Sequence, residues 1–281
     1  MRVVGILGIG IVAPGTPVIR ADDAGVTRGD GCFEGVRIRT DAAGRSTAEK
    51  LDRHLARMSR SSAALGIPFA ADAWRGLVEA ACAAWTEPGE AALKLVLTRG
   101  AADGEPTGFL TVLPLPECYP RERREGLRVV TLARGLRSDA FADAPWLLGG
   151  VKTLSYAPNM AAQREAERRG ADEAILVSSD GMVLEAPTGS VVWSVGRALH
   201  TTPTGATGIL GGTTQQRLFE RCATSGWSTH ETLASVDDLH AADVVWVISS
   251  VRGPVDVVEL DGKQRPRLPA VDAEIRARCG F

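Results

Sequence analysis

Gly149-Gly150-Val151-Lys152-Thr153-Leu154-Ser155-Tyr156-Ala157-Pro158-Asn159-Met160 is the stretch from which the rest of this chain is read. A lysine follows two glycines and precedes an amphipathic segment that predicts a helix to about Arg169, ended by Gly170. The chain has four lysines, Lys50, Lys94, Lys152 and Lys263, among 32 basic residues. A chain that writes its surface cations as arginine keeps lysine where arginine will not serve. One such role is attack on a carbonyl. A desolvated amine deprotonates and forms a Schiff base, whereas a guanidinium stays protonated.

Further along, Asp180-Gly181-Met182-Val183-Leu184-Glu185-Ala186-Pro187-Thr188 reads as a hairpin turn followed by a glutamate in an otherwise apolar strand. An aldehyde-trapping lysine and a buried acid together meet the needs of pyridoxal phosphate. The acid keeps the pyridine nitrogen protonated, so that the ring can accept electrons. Thr213 and Thr214 open a predicted helix that runs to Cys222, directly after Gly208-Ile209-Leu210-Gly211-Gly212. Hydroxyls and backbone N–H groups at a helix start suit a phosphate, and a guanidinium fork such as Arg57 would complete the clamp.

These segments resemble the fold-type IV pyridoxal-phosphate enzymes (the class IV aminotransferase family). That group includes branched-chain and D-amino-acid aminotransferases and 4-amino-4-deoxychorismate lyase. Besides Lys152 to Trp193, Gly29-Asp30-Gly31-Cys32-Phe33-Glu34 resembles the family's G-D-G-x-[FY]-E stretch. His54-Leu55-Ala56-Arg57 resembles its H-[LI]-x-R helix start, and Leu97-Thr98-Arg99-Gly100 a strand end carrying a substrate-carboxylate arginine. Gly208 to Thr214 resembles its phosphate-cradling turn. The matches run in the family's order along most of the chain.

The resemblance implies an α/β (α+β) fold of two domains, an N-terminal α+β domain and a C-terminal barrel-like domain, with the cofactor between them in a homodimer. It makes Lys152 the catalytic residue. Pyridoxal 5'-phosphate would be held by Lys152, Arg57, Glu185, Thr213, Thr214, Ser250 and the backbone of Val251. Phe33, Tyr156, Arg99, Arg28 and Arg252 are the candidates for binding substrate. Two departures matter. Val251 stands where the family's transaminases usually place a phosphate-binding threonine, and Phe33 where they often carry tyrosine. Phe33 and Pro254-Val255 look more like the aminodeoxychorismate lyases, which convert 4-amino-4-deoxychorismate to 4-aminobenzoate and pyruvate in folate biosynthesis. A branched-chain or D-amino-acid aminotransferase is the alternative. A pyridoxal-phosphate-binding protein without turnover would have no need of Lys152.

Composition narrows the field further. At 281 residues and 44% hydrophobic content the chain reads as a soluble globular protein. A net charge of −2 gives no electrostatic case for nucleic acid or an anionic membrane. The five cysteines form no C-x-x-C pair, and with four scattered histidines no metal site is expected. The apolar run Met1 to Ala13 is broken by Gly5, Gly8 and Gly10. It reads as a first hairpin rather than a leader or span, so a cytoplasmic enzyme is expected. Pro114-Leu115-Pro116-Glu117-Cys118-Tyr119-Pro120 cannot continue a sheet. The expected organisation is therefore a domain over 1–117, a linker over 118–126 and a cofactor-binding domain over 127–281. Helices are predicted over Lys50–Leu65, Ala71–Trp85 and Thr213–Cys222. Among the predicted strands are Ala91–Thr98, Leu127–Leu132, Met182–Leu184, Val191–Val195 and Asp243–Ser249.

Overall fold

The computed structural model describes residues 1–102 and 104–281. It has a mixed α/β fold and divides into two compact units. The first is Met1–Pro116 together with Val151–Tyr156, and the second is Glu117–Gly150 together with Ala157–Phe281. The hexapeptide containing Lys152 thus belongs to the first unit, although the chain on both sides of it belongs to the second. A linear boundary at the expected linker has no place for such a return.

In the first unit the elements are β1 (Val3–Ile6), β2 (Gly10–Val12), α1 (Ala24–Thr27), β3 (Gly31–Thr40), β4 (Ser46–Ala48), α2 (Leu51–Leu65), α3 (Ala71–Ala84), β5 (Gly89–Thr98) and β6 (Thr107–Pro114). The strands form one antiparallel sheet in the order β2-β1-β6-β5-β3-β4. Alternation assigns the two faces. Val36 and Ile38 of β3 and Leu93, Leu95 and Leu97 of β5 point into a core completed by Leu55 and Met58 of α2 and by Trp74, Leu77 and Val78 of α3. Phe33, Gly35 and Lys94 alternate with those residues, and Lys94 is exposed. Helix α2 ends where Gly66 takes a left-handed φ of 64°, and the next N–H, of Ile67, returns to the Ser62 carbonyl.

The second unit holds α4 (Cys118–Glu125), β7 (Leu127–Ala133), α5 (Ala157–Arg168), β8 (Glu173–Val177), β9 (Ser190–Val195), β10 (Ala198–Thr201), α6 (Thr213–Cys222), β11 (Ser228–Glu231), α7 (Val236–Ala241), β12 (Val244–Ser249), β13 (Gly253–Leu260), β14 (Lys263–Gln264) and α8 (Pro269–Cys279). Its sheet runs β11-β10-β9-β12-β13-β7-β8, with β14 beside β13. Strand β7 is parallel to both neighbours, and β9, β12 and β13 pair antiparallel. The central strands are covered on both faces, which is why they read as unbroken apolar runs. Val245 and Val247 enter one cluster with Leu127, Trp193 and Leu239. Val244, Trp246 and Ile248 enter another, with Leu218 and Cys222 of α6 and Ile275 of α8.

Two expectations differ from the structure. Residues 118–126, expected as a linker, are mostly helical, over Cys118–Glu125. Pro120 stands in the first turn, where no intrahelical N–H is needed. Arg123 donates to the carbonyls of Val251 and Arg252, and Glu122 is buried. The helix after Lys152 begins only at Ala157, since Pro158 is tolerated in a first turn and not in a helix interior. Met182–Leu184 pairs antiparallel with the end of β8 as the hairpin reading expects, the Leu184 N–H donating to the Leu176 carbonyl at 2.9 Å and the Ser178 N–H to the Met182 carbonyl at 2.8 Å. Among the described residues no helix is long and apolar enough to cross a membrane.

Gly31 shows how tightly β3 is fitted. A Cβ there would meet the Leu97 carbonyl oxygen at 2.5 Å, Leu154 Cδ1 at 2.7 Å and Thr98 Cα at 2.9 Å. Two of these are backbone atoms that do not yield. Gly31→Ala should therefore cost about 1–3 kcal/mol of stability, as overpacking does, and displace the segment around Leu154. Chemical denaturation checks the first effect, and the rate of borohydride-trapped cofactor attachment to Lys152 checks the second.

Candidate active site

Lys152 is seated in the first unit by backbone pairing. The Phe33 N–H donates to the Lys152 carbonyl at 3.0 Å, and the Leu154 N–H donates to the Gly31 carbonyl at 2.8 Å. Cys32 and Thr153 form the antiparallel bridge between these bonds. The Lys152 N–H donates to Ser61 Oγ of α2 at 3.2 Å. Gly29 has a φ of 71°, and a Cβ there would meet Ser155 Oγ at 2.5 Å. The two glycines of the Gly29-Asp30-Gly31 motif are thus the residues that let the lysine segment lie against β3.

The half-buried Lys152 side chain runs over the Phe33 ring, with Nζ 4.4 Å from the ring centroid. Nζ is 3.3 Å from Tyr156 Oη. Tyr156 in turn stands edge-on to Phe33, with centroids 5.0 Å apart. Phe33, Tyr156 and Lys152 are therefore brought together as one cluster. Lys94 joins them, its Nζ 5.2 Å from the same Phe33 centroid. Sequence reading missed Lys94, yet the signal was present: it is one of four lysines, set inside the apolar run Leu93-Lys94-Leu95.

Arg57 projects from α2 beneath the other face of β3. Its Nε donates to Glu34 Oε1 at 2.7 Å and its Nη2 to Glu34 Oε2 at 2.8 Å. His54 Nδ1 is 2.7 Å from the same Oε2. All three side chains are buried. Burial by itself would raise the Glu34 carboxyl, but the charge and hydrogen bonds of Arg57, aided by His54, outweigh it and hold the group at about 2. Burial pushes His54 down against the pull of Glu34. The imidazole is therefore neutral, and its Nδ1–H is the donor. Burial, with the Glu34 charge, pushes the neighbouring Cys32 thiol up to about 12, which leaves it inert as a nucleophile.

In the second unit Glu185 is held from two sides. The Leu210 N–H donates to Oε2 at 3.1 Å, and Arg134 Nη1 lies 3.7 Å from Oε1. Thr213 and Thr214, both buried, are the first two residues of α6. Their hydroxyls lie 2.9 and 3.2 Å from Ser250 Oγ. Gly212 precedes them, and a Cβ there would strike Ser190 Oγ at 2.3 Å. Three hydroxyls at the positive end of a helix form a donor set suited to a phosphate dianion. Val251 lies beside this set in sequence, and its carbonyl accepts from Arg123 at 2.9 Å.

Each of the three arginines expected to bind substrate carboxylates has partners within its own unit. Arg252 is buried, 2.9 Å from Glu173 and 3.5 Å from Glu122. Burial opposes its charge, but the two glutamates override that and raise its pKa. Its guanidinium is held in an internal ion pair. Arg99 donates to Asp30 at 2.5 Å and caps the Leu65 carbonyl of α2 at 2.6 Å, so its fork holds the motif turn to the helix end. Arg28 is an exposed residue that closes α1 through its backbone.

Residues 31–260 match the amino-transferase class IV family. The chain belongs to that family. It is 38% identical over 272 residues to the bifunctional aminodeoxychorismate lyase / D-amino acid transaminase of Mycobacterium tuberculosis, covering 93% of this chain and 92% of the relative. A hypothetical aminotransferase from the same organism, solved in a PLP-bound form, superposes with a TM-score of 0.93 at 38% identity over 99% of this chain and 98% of that one. A second form of it holds α-ketoglutarate and PMP. A fold IV transaminase from Curtobacterium pusillum superposes with a TM-score of 0.90 at 37% identity, over 99% and 97% of the two chains. This class IV protein is thus a PLP-dependent enzyme.

The seating of Lys152 makes a direct prediction. Borohydride treatment of the PLP-loaded protein should fix the cofactor to Lys152, and Lys152→Ala should abolish both the attachment and turnover while leaving the circular dichroism spectrum unchanged. Peptide mass spectrometry is the check. A label on Lys50, Lys94 or Lys263 would refute the assignment.

Proposed function

We propose that this enzyme is an aminodeoxychorismate lyase, releasing pyruvate and 4-aminobenzoate from 4-amino-4-deoxychorismate. The observation that carries the reading is the meeting of two lysine side chains on one aromatic ring, Lys152 and Lys94 over Phe33. The proposed substrate carries two carboxylates, neither of them on the amine-bearing carbon. A cation set apart from the reacting lysine suits such a molecule. Lys94 is exposed, and its described side-chain contact is with that ring. The mycobacterial relative whose name includes this activity adds support.

When bound, PLP supplies an electron sink next to the substrate nitrogen. On this reading Thr213, Thr214, Ser250 and Arg57 hold its phosphate, and Glu185 keeps a proton on the pyridine nitrogen. Lys152 would be the residue that holds the cofactor covalently. Its amine, once free, would take the proton from the amine-bearing ring carbon of the substrate. Tyr156 Oη, 3.3 Å from Nζ, keeps the amine over the ring. The C–O bond to the enolpyruvyl group then breaks, its oxygen takes up a proton, and the six-membered ring becomes aromatic. Atoms balance without water or an oxo acid.

A second reading, D-amino-acid transamination through the same residues, draws support from the other half of that relative's name and from the α-ketoglutarate and PMP found in its structural neighbour. The two readings separate cleanly in one assay. The lyase should form 4-aminobenzoate over many turnovers with no oxo acid present. Lys94→Met should remove a charge-assisted contact of about 1.5–3 kcal/mol, raising KM about tenfold to a hundredfold with little change in kcat. Conversion of the cofactor to pyridoxamine phosphate by D-alanine, with no 4-aminobenzoate formed, would decide for the transaminase.

A further inference from the structure

We infer that Glu34, backed by His54, is a positioning residue that aims the Arg57 guanidinium at the cofactor phosphate. The inference rests on the reading above in which Arg57 is a phosphate ligand. Its own basis is the buried network on the helix-covered face of β3. Glu34 accepts from Nε and Nη2 of Arg57 at 2.7 and 2.8 Å, and the three side chains Glu34, His54 and Arg57 are 0%, 1% and 6% exposed.

A lone guanidinium on a flexible stem samples many directions. Two parallel hydrogen bonds along its Nε–Nη2 edge fix both its plane and the direction of its Nη1–Nη2 end. The carboxylate is fixed in turn. Its Oε2 receives a third bond from His54 Nδ1 at 2.7 Å, and His54 lies one helical turn before Arg57 on α2. The order of support is therefore His54 to Glu34 to Arg57. The next turn of α2 carries Ser61, whose Oγ accepts the Lys152 N–H. One stripe of α2 thus aims the arginine and seats the lysine segment. Glu34 and Phe33 are adjacent on β3 and face opposite ways, one toward Arg57 and the other toward Lys152.

A ligand that differs only in its phosphate separates aiming from general support. Apoprotein is titrated with PLP and with pyridoxal, and the 31P spectrum of bound PLP is recorded. Glu34→Asp withdraws the carboxylate by one methylene, and His54→Phe removes its donor while keeping a ring. Each should weaken PLP at least tenfold relative to pyridoxal, change pyridoxal less than twofold, and shift the 31P resonance. In an Arg57→Ala background Glu34→Asp should have no further effect on the PLP-to-pyridoxal ratio. Equal weakening of both ligands in folded variants, or no weakening, would overturn the aiming role. If Arg57→Ala alone left the ratio unchanged, the phosphate role of Arg57 would fall first and the inference with it.

Discussion

The site depends above all on the backbone pairing of residues 152–154 with the start of β3. Two hydrogen bonds and a bridge set the position of Lys152, and none involves its side chain. The amine is therefore delivered to the Phe33 ring by main-chain geometry, which tolerates little error. That pairing requires two places where the opposing chain has no Cβ, and Gly29 and Gly31 supply them. The Gly-Asp-Gly motif is thus explained sterically. Its glycines admit the lysine segment, and its aspartate holds Arg99, which in turn ties down the end of α2.

Charge is divided between two jobs in this chain. Arginine is used for internal forks. Arg57 pairs with Glu34, Arg37 with Glu49 and Glu90, and Arg252 with Glu173, each with its guanidinium almost withdrawn from solvent. Such pairs fix register and orientation more than they add stability. Removing one partner leaves a buried charge, at a cost of about 3–5 kcal/mol. Two of the four lysines, Lys94 and Lys152, instead place Nζ over the Phe33 ring.

The phosphate-suited donor set of the second unit follows a different logic. It is made by helix α6, whose first residues are threonines and whose N-terminus is entered through glycines. Ser250, at the end of β12, brings its hydroxyl to both threonines. With Val251 in place of a hydroxyl-bearing residue, Ser250 is the donor this loop offers. The neighbouring arginine is spent on Glu173 and Glu122 inside the unit.

Much of this was legible in the sequence, because periodicity and chain-breaking residues are local signals. Helix α6 spans Thr213–Cys222 as its pattern predicts, and α2 and α3 differ from their predicted bounds by one residue at one end. Composition and flanks single out Lys152 among the four lysines as the candidate for the cofactor. What the sequence alone could not assign was the partner of each charged group. Arg252 meets Glu122 and Glu173, and Arg57 meets Glu34, across long stretches of chain that no local pattern encodes. Whether an arginine is a ligand or an internal brace depends on which carboxylate the fold carries to it. The same holds for Lys152, whose residence in the first unit is decided by pairing with a strand formed more than a hundred residues earlier. The sequence determined which candidate groups are present and the elements that carry them. The tertiary structure decided which of those groups meet, because burial and long-range pairing select among partners that the sequence leaves equivalent.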